Sequence, residues 1–247
     1  MLKGYPLRDY TWKDWVLMIV SSGLALQFIV AFLATMFSDV DPMNVEAVAV
    51  ELQRITINAA VYGTIISLPL SLLVIHWRKI PIFNRKQLSK SEWFLVPGLS
   101  KKDWSFLVKY IPISFVLYTT GSIMMNSFFG EMEAVNQDAI VSLFDYIPVW
   151  VMFIMIVIVA PIAEEVLFRG IMVFPGDKLD TTWLRVIISA VLFGMIHSPT
   201  DIQSLYTYVG MGVMFSYAAK KTQSVEAAIV YHFLNNLLAF SGLLSQL

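Results

Sequence analysis

The sequence predicts an all-α membrane protein, a polytopic transmembrane helix bundle of about seven spans within a range of six to eight. Hydrophobic residues make up 57% of the 247-residue chain and charged residues only 14%, whereas soluble domains carry about 25% charged residues. The apolar residues also form continuous blocks long enough to cross a bilayer as helices. They do not alternate with polar residues, as the strands of a transmembrane barrel would require.

Seven apolar blocks account for the predicted spans. They cover residues 15–37, 55–75, 105–128, 147–170, 184–198, 204–219 and 225–244. The first block is not preceded by a short apolar region with a small-residue cleavage site, so we expect a retained span and not a signal peptide.

Charge and cysteine usage exclude several classes of function. The net charge of −1 gives no basic footprint for binding nucleic acid. The chain has no cysteine, which excludes disulfides and thiolate metal sites. Membrane lipid and a peptide remain the expected partners.

The distribution of charge between the blocks predicts the orientation. Lysines and arginines precede the first block and fill residues 76–104, whereas the acidic residues of the other loops include Asp39, Glu131, Glu133 and Asp138. Because positive loops stay on the cytoplasmic side, we expect a cytoplasmic N-terminus in a multi-pass protein of a bacterial cytoplasmic membrane.

The basic linker at residues 76–104 divides the chain in composition. Residues 1–104 hold two ordinary spans and this linker, and residues 105–247 hold the spans with buried ionisable groups. The linker also carries Trp77, Trp93 and Trp104. Aromatic rings at headgroup depth with lysines on anionic lipid favour an interfacial anchor, and substrate docking is the alternative.

The segment APIAEEVLFRG at 160–170 places three charges in an apolar helix. Glu165 and Arg169 are four residues apart, so they share a helix face and can pair. Glu164 points about 100° away and lacks a helical partner, which makes it available as a general base or acid. Pro161 cannot donate to the Val157 carbonyl, so the helix should kink or open there.

Two later spans carry further polar residues at a spacing of four. Phe193 and His197 end one short helix, for which Asp180, Thr181 or Thr182 is a suitable cap. The next helix carries His232 and Asn236, and Ser224 is its expected cap. A single buried His or Asn is most often a satisfied contact between helices. Here one span supplies Glu, a second supplies His and a third supplies His with Asn, and this combination favours one shared polar pocket instead.

These residues resemble the three motifs of the CPBP family of intramembrane proteases, which groups CAAX proteases with bacteriocin-processing (Abi) enzymes. The matching patterns are Glu164-Glu165-xxx-Arg169, Phe193-xxx-His197 and His232-xxx-Asn236, in this order on successive helices. The motifs run from about 160 to 236, and residues 105–247 would form the CAAX-protease-like core. The first two spans and the linker carry no recognised motif.

The resemblance implies a hydrolase that cleaves peptide bonds inside the membrane. Glu164 would be the general base on the attacking water, with His197 holding that water. His232 and Asn236 would stabilise the oxyanion, and Glu165, Arg169 and Phe193 would order the site. A zinc metalloprotease would use Glu164, His197 and His232 as ligands, but the sequence has no HExxH segment, and we favour a metal-free water activated by glutamate.

Three classes of function follow from these residues. The first is an intramembrane endopeptidase acting on a small membrane-associated peptide or protein, in bacteriocin immunity or in peptide processing. The second is a non-catalytic membrane regulator or immunity protein that binds a peptide or partner. The third is an ion-coupled transporter, which is disfavoured because the chain shows no repeated halves and no paired broken helices.

Overall fold

A computed structural model describes residues 4–245 apart from 42, 130–142, 198 and 200. The acidic residues 131, 133 and 138 therefore lie outside the described part. The described residues form eight long helices and no strand; the helices are α1 Trp12–Val20, α2 Gly23–Met36, α3 Val45–Arg78, α4 Lys101–Phe129, α5 Val149–Val173, α6 Trp183–Ile196, α7 Ile202–Thr222 and α8 Val225–Leu244.

Each predicted block coincides with helix, but the first block is broken. The single span predicted at 15–37 is two helices, α1 and α2, bent by 58°. The break falls at two serines: the side chain of Ser22 accepts a hydrogen bond from the N–H of Ala25 and so caps α2, and Ser71 of α3 donates to Ser21. Serine offers the backbone these local partners, which favours a helix end over a continuous helix.

The described helices include four that are long and apolar enough to cross a membrane, or five if the bent pair counts as one span. These are α3, α4, α5 and α8, with α1 and α2 as the pair. Helix α6 is apolar but short, with 14 residues. The chain is an integral membrane protein with all-helical architecture.

The N-terminal helices and the motif-bearing helices share one apolar core. Met18 of α1 and Val74 of α3 pack in the same cluster as Phe168 of α5 and Phe193 of α6. Gly63 allows α3 to approach α2 closely, because a Cβ there would lie 2.8 Å from the backbone nitrogen of Gln27. The first 104 residues therefore form part of the wall around the motif helices.

The basic linker is partly buried. Trp77 is 70% exposed, as an interfacial anchor requires, but the Arg85 side chain is fully buried. The Arg85 guanidinium donates to the carbonyls of Pro81, Pro175 and Lys178. A guanidinium has five donors in a planar fork, so one arginine joins the linker to the loop between α5 and α6.

Asp14 joins the two ends of the N-terminal region through a buried cluster. Its carboxylate accepts from Arg8 Nη1 at 2.7 Å and from Arg78 Nε at 2.9 Å, while its own side chain is 0% exposed. Removing the charge leaves both arginines uncompensated.

We expect Asp14→Asn to lower the free energy of unfolding by about 2–3 kcal/mol, because breaking a buried pair destabilises a protein. The value lies below that of a fully buried pair because Arg8 and Arg78 are 32% and 27% exposed. Thermal unfolding in detergent measures the change. The exposed Asp9→Asn is the matched control, and equal melting temperatures of the two variants would contradict the prediction.

Candidate active site

Helix α5 changes its hydrogen-bond register on both sides of the two glutamates. Residues 154–159 and 166–173 are π-helical, and the α-helical turn Ala160–Glu165 lies between them. The N–H of Ala160 donates to the carbonyl of Met155, five residues earlier. The opening predicted from Pro161 is thus found as a wider helical register, which is common at functional sites.

Asn236 of α8 donates a hydrogen bond to a carbonyl that the π-helical register leaves without an N–H donor. In a π-helix each carbonyl pairs with the N–H five residues later, and for Ile156 that residue is Pro161, which has no N–H. The side-chain amide of Asn236 donates to the Ile156 carbonyl at 2.9 Å. Asn236 therefore joins α8 to α5 about two turns before the glutamates.

The predicted pair of Glu165 and Arg169 is confirmed. Arg169 Nη1 donates to Glu165 Oε1 at 2.8 Å, and both side chains are 0% exposed. Helix α7 holds the rest of the guanidinium: Nε donates to Ser216 Oγ at 3.2 Å and Nη2 to the Gly212 carbonyl at 2.9 Å. The charge is therefore paired and hydrogen-bonded, as burial requires.

His232 lies between the two glutamates. Its Nδ1 is 2.9 Å from Glu165 Oε1, and its Nε2 is 3.9 Å from Glu164 Oε2. The ring stacks on Phe215 with a centroid distance of 4.5 Å and meets Phe193 edge-on. Because Glu165 holds Nδ1, the Nε2 side of the ring is directed at Glu164.

Glu164 faces a cavity and has spare hydrogen-bonding capacity. Its Oε2 atom is buried and has no hydrogen-bond partner among the described residues. The side chain lines a cavity of about 830 Å³ together with His197 and with residues of α2 and α3. The side chain is 26% exposed and lines this cavity, so its carboxylate can accept a hydrogen bond from water.

His197 is held at the end of α6 as the spacing predicted. Thr182, one of the three candidate caps, begins the helix by accepting from the N–H of Arg185, and His197 follows its last residue. Its Nδ1 is 2.8 Å from the Phe193 carbonyl, and its ring stacks on Tyr208 at 4.5 Å. Nδ1 is thereby occupied, and Nε2 is the ring atom left for the cavity.

Several residues that contact the site were missed from the sequence. Four come from α7, which carries no motif; they are Tyr208, Gly212, Phe215 and Ser216. The four-residue spacing of Gly212 and Ser216 was the available signal, because small residues at that spacing mark a close helix contact. Another buried glutamate, Glu226, was also missed; it accepts from Ser224 Oγ and from the Asn84 N–H. Because the Ser224 hydroxyl is used in this way, its side chain makes no capping hydrogen bond to α8, and the predicted cap is wrong.

The proposed ligand set for zinc is not assembled. Within the described ranges no three His, Cys, Asp or Glu side chains are grouped closely enough to hold a metal ion. The arrangement does not fit a three-ligand metal site, and we derive no step through a metal.

A known protein family matches the part of the chain that carries the three motifs. The profile described as type II CAAX prenyl endopeptidase Rce1-like matches residues 146–238, the stretch that carries Glu164, Arg169, His197 and His232. Over these residues the chain is similar to this family, in agreement with the resemblance of its motifs to those of CPBP proteases. The match covers α5 to most of α8, whereas the helices before residue 146 lie outside it.

Three bacterial proteins are similar to about half of this chain. "Putative membrane peptidase YdiL" of Bacillus subtilis (strain 168) is 31% identical over 116 residues, which is 47% of this chain and 46% of YdiL. "Membrane-embedded CAAX protease MroQ" of Staphylococcus aureus (strain USA300) is 25% identical over 122 residues, covering 47% and 48%. "UPF0177 protein YbdI" of Lactococcus lactis subsp. lactis (strain IL1403) is 25% identical over 129 residues, covering 51% and 69%.

The chain spans about half the length of YdiL and of MroQ. No solved structure matches the chain significantly.

We expect Asn236→Leu to lower the free energy of unfolding by about 1–3 kcal/mol, because the Ile156 carbonyl loses its donor. Pro161→Ala restores an N–H that can reach this carbonyl, so the combined variant should recover part of the loss. A double-mutant cycle of unfolding free energies in detergent measures the coupling. Strictly additive effects of the two substitutions would show that Asn236 does not replace the missing proline donor.

Proposed function

We propose that the chain is an intramembrane endopeptidase that hydrolyses a peptide bond in a small membrane-associated peptide or protein. The observation that carries the proposal is the Glu164 carboxylate, which has an unpartnered oxygen and lies in the cavity with His197. The family profile and the relatives named as membrane peptidases support the same class of reaction.

Glu164 acts as the general base. It takes a proton from water, and the water oxygen attacks the carbonyl carbon of the scissile bond. When the carbon–nitrogen bond breaks, Glu164 returns the proton to the leaving amine, so the carboxylate is restored. His197 holds the water from the other side through the ring nitrogen that does not face Phe193.

His232 stabilises the charge that develops on the carbonyl oxygen. With Nδ1 held by Glu165, its Nε2 donates in the imidazolium form. The Glu165 carboxylate orients the ring through Nδ1, and Arg169 holds Glu165 in place. Asn236 is the second donor, through the N–H that the Ile156 carbonyl does not use.

The proposed substrate class follows from the surroundings of the site. The cavity lies among apolar helices, so a peptide reaches it from the lipid or from the cytoplasmic face. Processing of a bacterial peptide, or immunity to a bacteriocin, is the biological role we propose. We place the protein in a bacterial cytoplasmic membrane with its N-terminus inside, because the basic residues lie on that side of the predicted spans.

We expect Glu164→Gln to reduce peptide cleavage by at least about 10²–10⁴-fold, because general base catalysis contributes that much. The amide keeps the shape of the side chain, so binding should persist. Wild type and variant in detergent are incubated with a mixture of membrane-associated peptides, and products are read by mass spectrometry. Glu92→Gln, at an exposed glutamate of the linker, is the control.

An uncut peptide mixture with wild-type protein would remove the support for hydrolysis. Wild-type behaviour of Glu164→Gln in a cellular immunity or processing assay would favour the non-catalytic regulator instead.

A strong chelator should leave cleavage unchanged, because no step of the proposed reaction passes through a metal. The wild type is assayed by mass spectrometry before and after dialysis against chelator. Loss of cleavage that returns on addition of zinc would replace the glutamate-activated water with a metal-bound one.

A further inference from the structure

Part of the wall of the cavity that holds Glu164 is built by helices outside the family match. The cavity that holds Glu164 and His197 is also lined by residues of α2 and α3. Four of these are polar and form what we call the N-terminal polar strip: Ser22, Gln27, Thr64 and Ser67. No pattern in the sequence predicts that these residues lie near the glutamates.

Gln27 is fixed within this strip. Its Nε2 donates to Thr64 Oγ1 at 3.1 Å, and Gly63 brings the α3 backbone directly against it. This is its one hydrogen bond to a described residue. A primary amide has two N–H donors and an oxygen acceptor, so one N–H and the oxygen are left for another partner.

The remaining groups of Gln27 match those of a peptide main chain. A peptide bond can be attacked only where the chain is unwound, because a helix encloses its carbonyls in hydrogen bonds. In an apolar environment each unpaired main-chain N–H or C=O is costly. A side-chain amide supplies one donor and one acceptor in the same plane, which is what one main-chain amide needs.

The cavity also reaches the surface that faces lipid. Its lining includes Leu24, Phe28 and Leu192, which are 41%, 70% and 43% exposed. These side chains lie on α2 and α6. An apolar segment that enters the cavity from the lipid past these side chains would meet a volume lined both by the N-terminal polar strip and by Glu164.

We propose that Gln27, held by Thr64, binds the main chain of an unwound stretch of an apolar peptide beside the scissile bond. This inference rests on the proposed function and names the substrate feature that the site selects, which is an unwound segment within an apolar span. Gln27 is a binding residue in this scheme and takes no part in the proton transfers.

The test measures binding without cleavage, in the Glu164→Gln background and in lipid nanodiscs. Two fluorescent synthetic peptides of leucine and alanine are compared, each about 20 residues long so that it spans a bilayer. One has a central Pro-Gly pair that unwinds it, and the other is a continuous helix. We expect tighter binding of the Pro-Gly peptide.

Gln27→Met keeps the length of the side chain and removes the amide. We expect it to weaken binding of the Pro-Gly peptide by about three- to tenfold, as the loss of one hydrogen bond predicts, and to leave the helical peptide unchanged. Thr64→Val should show a smaller loss of the same kind, because the amide is then free to turn. Gln53→Met, at an exposed position of α3, is the matched control.

Equal affinity for the two peptides, or an unchanged preference in Gln27→Met, would overturn the inference. Equal weakening of both peptides would also overturn it, since that result indicates a general loss of α2–α3 packing. Cleavage of the Pro-Gly peptide by the protein with Glu164 intact is scored separately. The proposed hydrolysis can thus fail while the binding role of Gln27 stands, and the reverse also holds.

Discussion

The buried charge of Arg169 is the constraint around which the site is arranged. A guanidinium at 0% exposure in an apolar bundle is tolerated only if its donors are occupied. Glu165 supplies the opposite charge, and α7 supplies a carbonyl and a hydroxyl. Gly212 makes this possible because a Cβ there would lie 2.8 Å from the Ala190 carbonyl, so only glycine lets α7 come this close to α6.

The same ion pair separates the roles of the two glutamates. Glu165 Oε1 accepts from Arg169 and also holds His232, so this carboxylate orients other groups. Glu164 is one residue away, on a different helix face, and turns into the cavity. Two adjacent carboxylates therefore meet different surroundings, which is a common way to assign structural and chemical roles to equal groups.

Local patterns in the sequence were sufficient for the features that depend on helix periodicity. Spacing within one helix predicts that Glu165 pairs with Arg169 and that Phe193 and His197 share a face. For the start of α6 the sequence offered three candidate caps, and the structure identifies Thr182 among them. The break between α1 and α2 and the partners of Arg169 on α7 were not foreseen. They depend on contacts between residues far apart in the chain, and periodicity carries no information about those.

Asn236 shows how a local defect and a distant residue determine each other. The proline predicts an opening in α5, but not the register that the opening takes, nor the carbonyl that it leaves without a donor. In the fold that carbonyl belongs to Ile156, and a side chain 80 residues later meets it. The Asn236 amide nitrogen carries two N–H donors, so one can hold the Ile156 carbonyl while the other is free for the proposed oxyanion. The contact with Ile156 would then fix the direction of the amide, and the opening in α5 would position a donor for the reaction.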